Sequence, residues 1–354
     1  KVLNLTLKDV KIDVSDTGGD NFEFEDDQIG KAALSVEGKG NVEIELDGNN
    51  ELKSGASKAG LEKTSTGKLT LKDDNNEAGS LTATGGASAA GIGGGFQGKG
   101  ENITITGGTV NATGNEDGAG IGGGSSGSGE NITINGGEVT ASGGDNWDDC
   151  GAGIGGGNGS DGENITINGG SVTATGGSYA AGIGGGSVGF WGGESGSGKN
   201  ITINGGTVNA TGTDGGAGIG GGENGNGEDI TINGGKVNAS GAYGGAGIGG
   251  GVNGIGSKVT VSGAAQVTAT ATGSGPDWSG VGTGATIGNG GSKTPDGPVD
   301  GKEIQADISH LTTGYIHHII YNPDLDLDGK PDGILKEWWE FALPKPIPDG
   351  ESLD

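Results

Sequence analysis

Through the middle of the chain apolar residues come singly, at every second position, in short runs closed by glycine. The stretch Ala119 to Gly143, AGIGGGSSGSGENITINGGEVTASG, holds three of them. Ala119 and Ile121 alternate with glycines, Ile132 and Ile134 with Asn131, Thr133 and Asn135, and Val139 and Ala141 with Glu138, Thr140 and Ser142. Period two predicts strands whose apolar members all face one way. The runs are short, β-branched and bounded by glycine, which excludes helix.

The unit recurs. Ile92, Ile121, Ile154, Ile183, Ile219 and Ile248 stand 29, 33, 29, 36 and 29 residues apart. The two longer intervals carry insertions, one just before Cys150 and one around Phe190 and Trp191. Three strands per unit, turned by Gly and Asn-Gly-Gly corners that accept positive φ, predict an all-β fold, a right-handed parallel β-helix. Each unit buries its apolar face only against its neighbours, so none folds alone. About nine coils are expected, a rod ~43 Å long at ~4.8 Å per strand.

Residues 1–90 keep this rhythm in a looser sequence and form irregular coils with an N-terminal cap. Leu34, Leu61 and Ile92 fall in one column, Ile44, Leu71 and Ile105 in a second, and Leu52, Leu81 and Val110 in a third. Leu5, Leu7, Val10 and Ile12 read as an incomplete first turn. Residues 91–291 are the regular array. Residues 292–354 hold seven of the eight prolines, all three histidines and the paired Trp338 and Trp339, and read as a cap on the last coil or an assembly arm.

Composition changes the picture in three respects. The 89 glycines alone would indicate disorder, but their fixed places in the repeat overrule it. The 46 acidic residues against 19 basic ones, all lysine, give a net charge of -27. That charge argues against nucleic acid and anionic membranes as partners and favours divalent cations. The lone Cys150 excludes a disulfide framework, and no apolar run is long enough to span a membrane. A chain without methionine is expected of a processed or trimmed product, from which a leader, if there was one, has been removed. Asn-Ile-Thr sequons at Asn102, Asn131, Asn164 and Asn200 would crowd glycans along one face, which favours a bacterial source and a secreted or cell-surface location.

Several surfaces are candidates for function. Gly120, Gly122 and Gly124 present only glycine outward along one strand, which reads either as a tight packing solution or as a face that another backbone or a flat ligand approaches closely. On the third strand, Asn111, Thr140, Thr173, Asn209, Asn238 and Thr268 form one outward column and Thr113, Ser142, Thr175, Thr211, Ser240 and Thr270 another. This flat hydroxylated array suits polysaccharide chains or, less well, an ice plane. Asn135, Asn168, Asn204 and Asn233 read as a corner ladder that satisfies backbone groups. Glu101, Glu130, Glu163 and Glu228, interrupted by Lys199, read as a solvated edge.

Trp147, Tyr179, Tyr243 and Trp278 gather at one corner with Asp148 and Asp149, and Phe190 and Trp191 mark another. Aromatics beside carboxylates stack on sugar rings and accept hydroxyl hydrogen bonds, which makes these the carbohydrate-binding candidates. The alternative is that each ring folds over its own loop. In Asp324 to Asp332, DLDLDGKPD, Asp324, Asp326 and Asp328 take loop positions one, three and five around the turn of Gly329. Lys330 offers a carbonyl and Asp332 takes position nine, an oxygen cage for calcium that lacks the usual acid at position twelve, Leu335. Trp338, Trp339 and Phe341 are candidates for assembly.

The DLDLDGKPDG loop followed by EWWE resembles bacterial thrombospondin type 3 calcium repeats. The GAGIGGG, ENITI and GGTVNATG units resemble repetitive right-handed parallel β-helix modules of bacterial secreted and cell-surface proteins, and more distantly the carbohydrate-binding β-helix proteins of clostridia. The β-helix resemblance specifies a fold rather than a ligand; the aromatic and hydroxylated faces and the C-terminal loop lead us to expect a spacer or adhesin that binds polysaccharide or cell-wall glycan and calcium. Catalysis is not expected. A pectate-lyase type of site needs a strong base, usually Arg, which the chain lacks, and Asp145, Asp148 and Asp149 have no basic companion. His310, His317 and His318 have no nucleophile pattern beside them. A structural alternative is a subunit joined head to tail into filaments through its open ends.

Overall fold

The computed structural model describes residues 1–19, 28–75, 77–145, 150–188, 195–273, 280–323 and 330–342. Among them every regular element of any length is a strand, and parallel pairing of equivalent residues joins each unit to the next. The protein is a parallel β-helix. Each coil runs through three sheets in turn. Sheet A holds the ENITI strands, sheet B the EVTAS and TVNAT strands, and sheet C, nine strands deep, the Ile-Gly pairs.

The core is a set of parallel columns. In sheet A, Leu5, Ile44, Leu71, Ile105, Ile134, Ile167, Ile203, Ile232 and Val261 stack in register. In sheet C, Leu34, Leu61, Ile92 and the isoleucines after them do the same. In sheet B a valine column and an alanine column face inward side by side, as in Val139 with Ala141. Small alanines leave room for the isoleucines of the facing sheets, so one narrow core continues from coil to coil.

One expected column is shifted. Leu52 pairs with Ala83, and the partner of Leu81 is Asn50. Asn50 is fully buried, and its amide donates to the carbonyls of Leu7, Asp47 and Ser80 while accepting from Val10 N–H. The strand Asn41–Lys53 bends from sheet A into sheet B without a break, and this side chain satisfies the backbone at the bend.

The bare glycine face also departs from expectation. Gly120, Gly122 and Gly124 are buried, not presented outward. A Cβ on Gly122 would lie 1.9 Å from the Gly155 carbonyl oxygen and one on Gly124 2.0 Å from that of Gly95. The column Gly93, Gly122, Gly155, Gly184, Gly220, Gly249 and Gly288 holds φ between 133° and 143°, a conformation open to glycine alone. These glycines serve coil-on-coil contact.

At the C-terminal end the coil geometry continues past the regular array. Glu303 bridges to Gly288, Asp307 to Thr260 and Leu311 to Gly263, and Tyr315–Tyr321 pairs in parallel with Gln266–Thr272. Ala306, Ile308, Leu311 and Ile316 join the core. The chain then reverses, and Ile334–Phe341 pairs antiparallel with Tyr315–Tyr321. At the opposite end Leu3 and Leu5 are exposed beyond the first coil.

Candidate functional site

The outer face of sheet B carries two polar columns in register along the rod. Its middle column runs Thr82, Asn111, Thr140, Thr173, Asn209, Asn238, Thr268, and the next His317, with every partner in register. The flanking column runs from Thr84 through Thr113, Ser142, Thr175, Thr211, Ser240 and Thr270 to Ile319. Strand alternation puts their hydroxyls and amides toward solvent because the valines and alanines between them fill the core. Neighbouring rungs bond laterally, Asn238 to Asn209 at 2.8 Å and Thr270 to Ser240 at 2.9 Å. These two bonds fix side-chain rotamers on the C-terminal rungs of the face.

This polar strip ends in aromatics. Tyr315 and His317 occupy outward positions of the penultimate strand, and Phe341 and Trp339 stand opposite them on the final one. Trp339 stacks on His317 with centroids 3.8 Å apart and planes 6° from parallel. Phe341 continues the series 6.0 Å from Trp339 at 5°, and Tyr315 meets Trp339 edge-on at 5.0 Å. Glu337 holds the row from the other side, its carboxylate 2.6 Å from His317 Nε2. Trp339 and Phe341 remain 45% and 60% exposed, so an apolar ring surface is open at the end of a hydroxylated track.

The inner face of the same strand pair closes the core. His318 takes the next place in the alanine column, after Ala269, and Trp338 stacks on it at 4.5 Å with planes 6° apart. Lys336 sits with its ammonium 4.5 Å from the centre of the Trp338 ring. His318 Nδ1 is 2.6 Å from Thr286 Oγ1, and that hydroxyl also lies 2.9 and 3.0 Å from the two Glu303 oxygens. Glu303 accepts from Thr286 N–H and Ile287 N–H as well. Burial lowers the His318 pKa to about 4, helped by nearby His317 and Lys336. Burial raises that of Glu303, against the hydrogen bonds it accepts. Thr286 and His318 are buried, so this cluster packs the cap against the last coils.

The other candidates sort as follows. Tyr179 and Tyr243 lie at the corner between sheets B and C, both with positive φ, but two coils apart, with Asp214 at the same corner on the coil between. Ser178 there stands 2.9 Å from both Asp145 and Asp214 carboxylates. Trp147, Asp148, Asp149, Trp278, Phe190 and Trp191 lie outside the described residues. So do Asp324, Asp326 and Asp328, whereas Lys330 and Asp332 are described and each has an interaction of its own. Among the described residues no cluster of three or more His, Cys, Asp or Glu is placed to hold a metal.

The asparagine column is a ladder, and the glutamate column is an edge with scattered ion pairs. Asn168, Asn204 and Asn233 each donate to the asparagine one coil earlier at 2.7 to 2.8 Å, bonding side chain to side chain. Glu130 pairs with Lys99 at 2.9 Å, and Lys199 with Asp161 at 2.6 Å. Of the aromatic row, the sequence singled out Trp339 and Phe341, with Trp338, only as candidates for assembly. Alternation in YIHHIIY and EWWEF, read as two strands of one hairpin, is the signal that joins Trp339 to His317.

Six stretches, 77–96, 103–125, 132–158, 165–187, 201–223 and 230–252, match the family model described as a β-helix repeat. The array is a run of β-helix repeats, in agreement with the sheets and their register. No curated protein and no solved structure matches the chain. The repeat specifies a fold and no ligand. No helix among the described residues is long and apolar enough to cross a membrane.

Proposed function

We propose that this chain is an extracellular or cell-surface β-solenoid of bacterial origin that binds polysaccharide along the outer face of sheet B, as an adhesive or structural element and without catalysis. The observation that carries the reading is the exposed pair Trp339 and Phe341, stacked on the half-buried His317, at the end of the hydroxyl and amide columns of seven coils. A sugar ring has an apolar face of C–H groups and an equatorial rim of hydroxyls. The aromatic row offers a partner for the first and the Thr, Ser and Asn columns for the second. A net charge of -27 favours neutral or cation-bridged glycans over polyanions. Calcium at the Asp324 to Asp332 loop belongs to the same proposal.

The test is retention on insoluble cell-wall and plant polysaccharides, run with calcium and with chelator. Trp339→Ala and Phe341→Ala are expected to weaken retention about tenfold each, the loss of ~1.4 kcal/mol, with unchanged circular dichroism. Trp147→Ala and Trp278→Ala, run alongside, report on the corner aromatics. Failure of the unmodified protein to bind any glycan overturns the reading.

A further inference from the structure

Among the described residues the strand Ile334–Phe341 ends the sheet with an unpaired edge. Among the described residues its only strand partner is Tyr315–Tyr321. It is eight residues long, contains no proline, and exposes Ile334, Leu335, Trp339 and Phe341. Proteins ordinarily blunt such an edge with proline, a bulge or a row of charges, because it is a template for another strand. Here the register shift lies at Ile320 and Tyr321, on the inner side of the pair. Lys336 makes no ion pair among the described residues and rests over Trp338.

We propose that this edge pairs antiparallel with the same strand of a second copy, about a two-fold axis through Trp338. The register follows from parity and charge. Residues directly opposite in an antiparallel pair share a face, so a strand paired with itself must centre on a residue. A centre at Lys336 or Glu337 sets like charges opposite each other, which is destabilising. A centre at Trp339 leaves Lys336 opposite Ala342. The centre at Trp338 sets Lys336 opposite Glu340 of the partner subunit, and the reverse, and Leu335 opposite Phe341 of the partner subunit. In that register both charges on the inner face are matched, and on the outer face Leu335 and Phe341 of the two copies cover each other while Trp339 lies opposite Glu337 of the partner subunit.

An isologous contact of this kind closes at two copies. It yields a dimer, where stacking of open ends would yield a filament. A two-fold axis normal to the sheet keeps both outer faces on one side, so the two aromatic rows meet in one continuous surface. The pairing stands whether or not that surface binds polysaccharide.

Sedimentation velocity and light scattering of the full chain are expected to give a concentration-dependent mass rising to twice 34.1 kDa. Lys336→Glu and Glu340→Lys each place like charges in opposition and are expected to raise the dissociation constant about tenfold or more. The double exchange restores the dimer. Glu340 also accepts from Gln305 at 2.8 Å, so Leu335→Asp, at a 61% exposed position, gives an independent loss of dimer without touching that bond. A wild-type monomer at every concentration overturns the proposal, as does a dimer indifferent to all these substitutions or a double exchange that stays monomeric.

Discussion

Glycine in this chain carries two different meanings, and only coordinates separate them. Gly184 has φ 135°, and a Cβ there would meet the Gly220 carbonyl oxygen at 2.0 Å. That atom is backbone of the next coil, fixed by its own ladder, so it does not yield. Gly40 has nothing within 4 Å of the same added atom. Gly184→Ala is therefore expected to cost ~3–4 kcal/mol and Gly40→Ala less than about 0.5 kcal/mol, measured by urea unfolding. Equal effects would show that backbone contact between coils is not what holds those glycines. The isoleucine columns were legible because a period of 29 and an alternation of two leave few ways to face a core. The glycine face was misread because a residue without a side chain gives no sign of which way it faces. Asn50 was missed for a related reason: a polar residue in a buried column becomes sensible only when the four backbone groups around it are in view.

At the level of elements, the strand pair Tyr315–Tyr321 and Ile334–Phe341 divides its two faces between tasks. Outward, it lines up His317, Trp339 and Phe341; inward, it seals the core with His318 and Trp338. Hydrophobic runs at 316–321 and 334–343 were legible as apolar pieces that could cover the last coil; how they pair was hidden by the polar His318 in an alanine column, whose partners come from distant loops. Its burial has a pH consequence. His318 is packed against Thr286, Trp338, Glu303 through Thr286, Lys336 and Glu340, whose Oε1 lies 3.3 Å from Nε2 without alignment as a hydrogen bond. With a folded pKa of about 4 against 6.5 for the free group, the unfolded chain takes up the proton first as pH falls. The neutral imidazole's contribution is complete above about pH 6.5 and is lost progressively down to about pH 4, ~3 kcal/mol at most. Glu303 works in the opposite sense: its raised pKa favours the protonated form, and that contribution is lost as pH rises through the folded value. His318→Phe keeps a ring under Trp338 and removes the titration. Chemical denaturation from pH 7 to pH 4 is expected to show a smaller loss of stability in this variant than in wild type. Identical slopes would mean that the imidazole already holds its proton in the folded cap.

Across the whole molecule, the coils are interchangeable in a way that predicts what can be removed. Asn204 and Asn233 occupy equivalent corners 29 residues apart, and each bonds to the asparagine one coil before it. Deleting residues 205–233 joins Asn204 to Gly234 and brings Asn168, Asn204 and Ser262 into one ladder, with every inward column still in phase. The shortened rod loses one nearest-neighbour interface and the surface it covers, so it is expected to fold, with a lower urea m-value and modestly reduced stability. A deletion of about half that length, such as 205–218, removes sheet B and corner residues while leaving sheets A and C, and puts apolar and polar columns out of register. It is expected to abolish cooperative folding of the coils that follow. Circular dichroism and urea unfolding of the two variants decide the matter. If the whole-coil deletion unfolds as readily as the half-coil one, stability depends on particular coils and their insertions, such as the buried Cys150 region, and not on the repeat. If it folds, the length of the hydroxylated track is set by coil number alone, and shortening it one coil at a time becomes the means of measuring how much of that track a bound glycan uses.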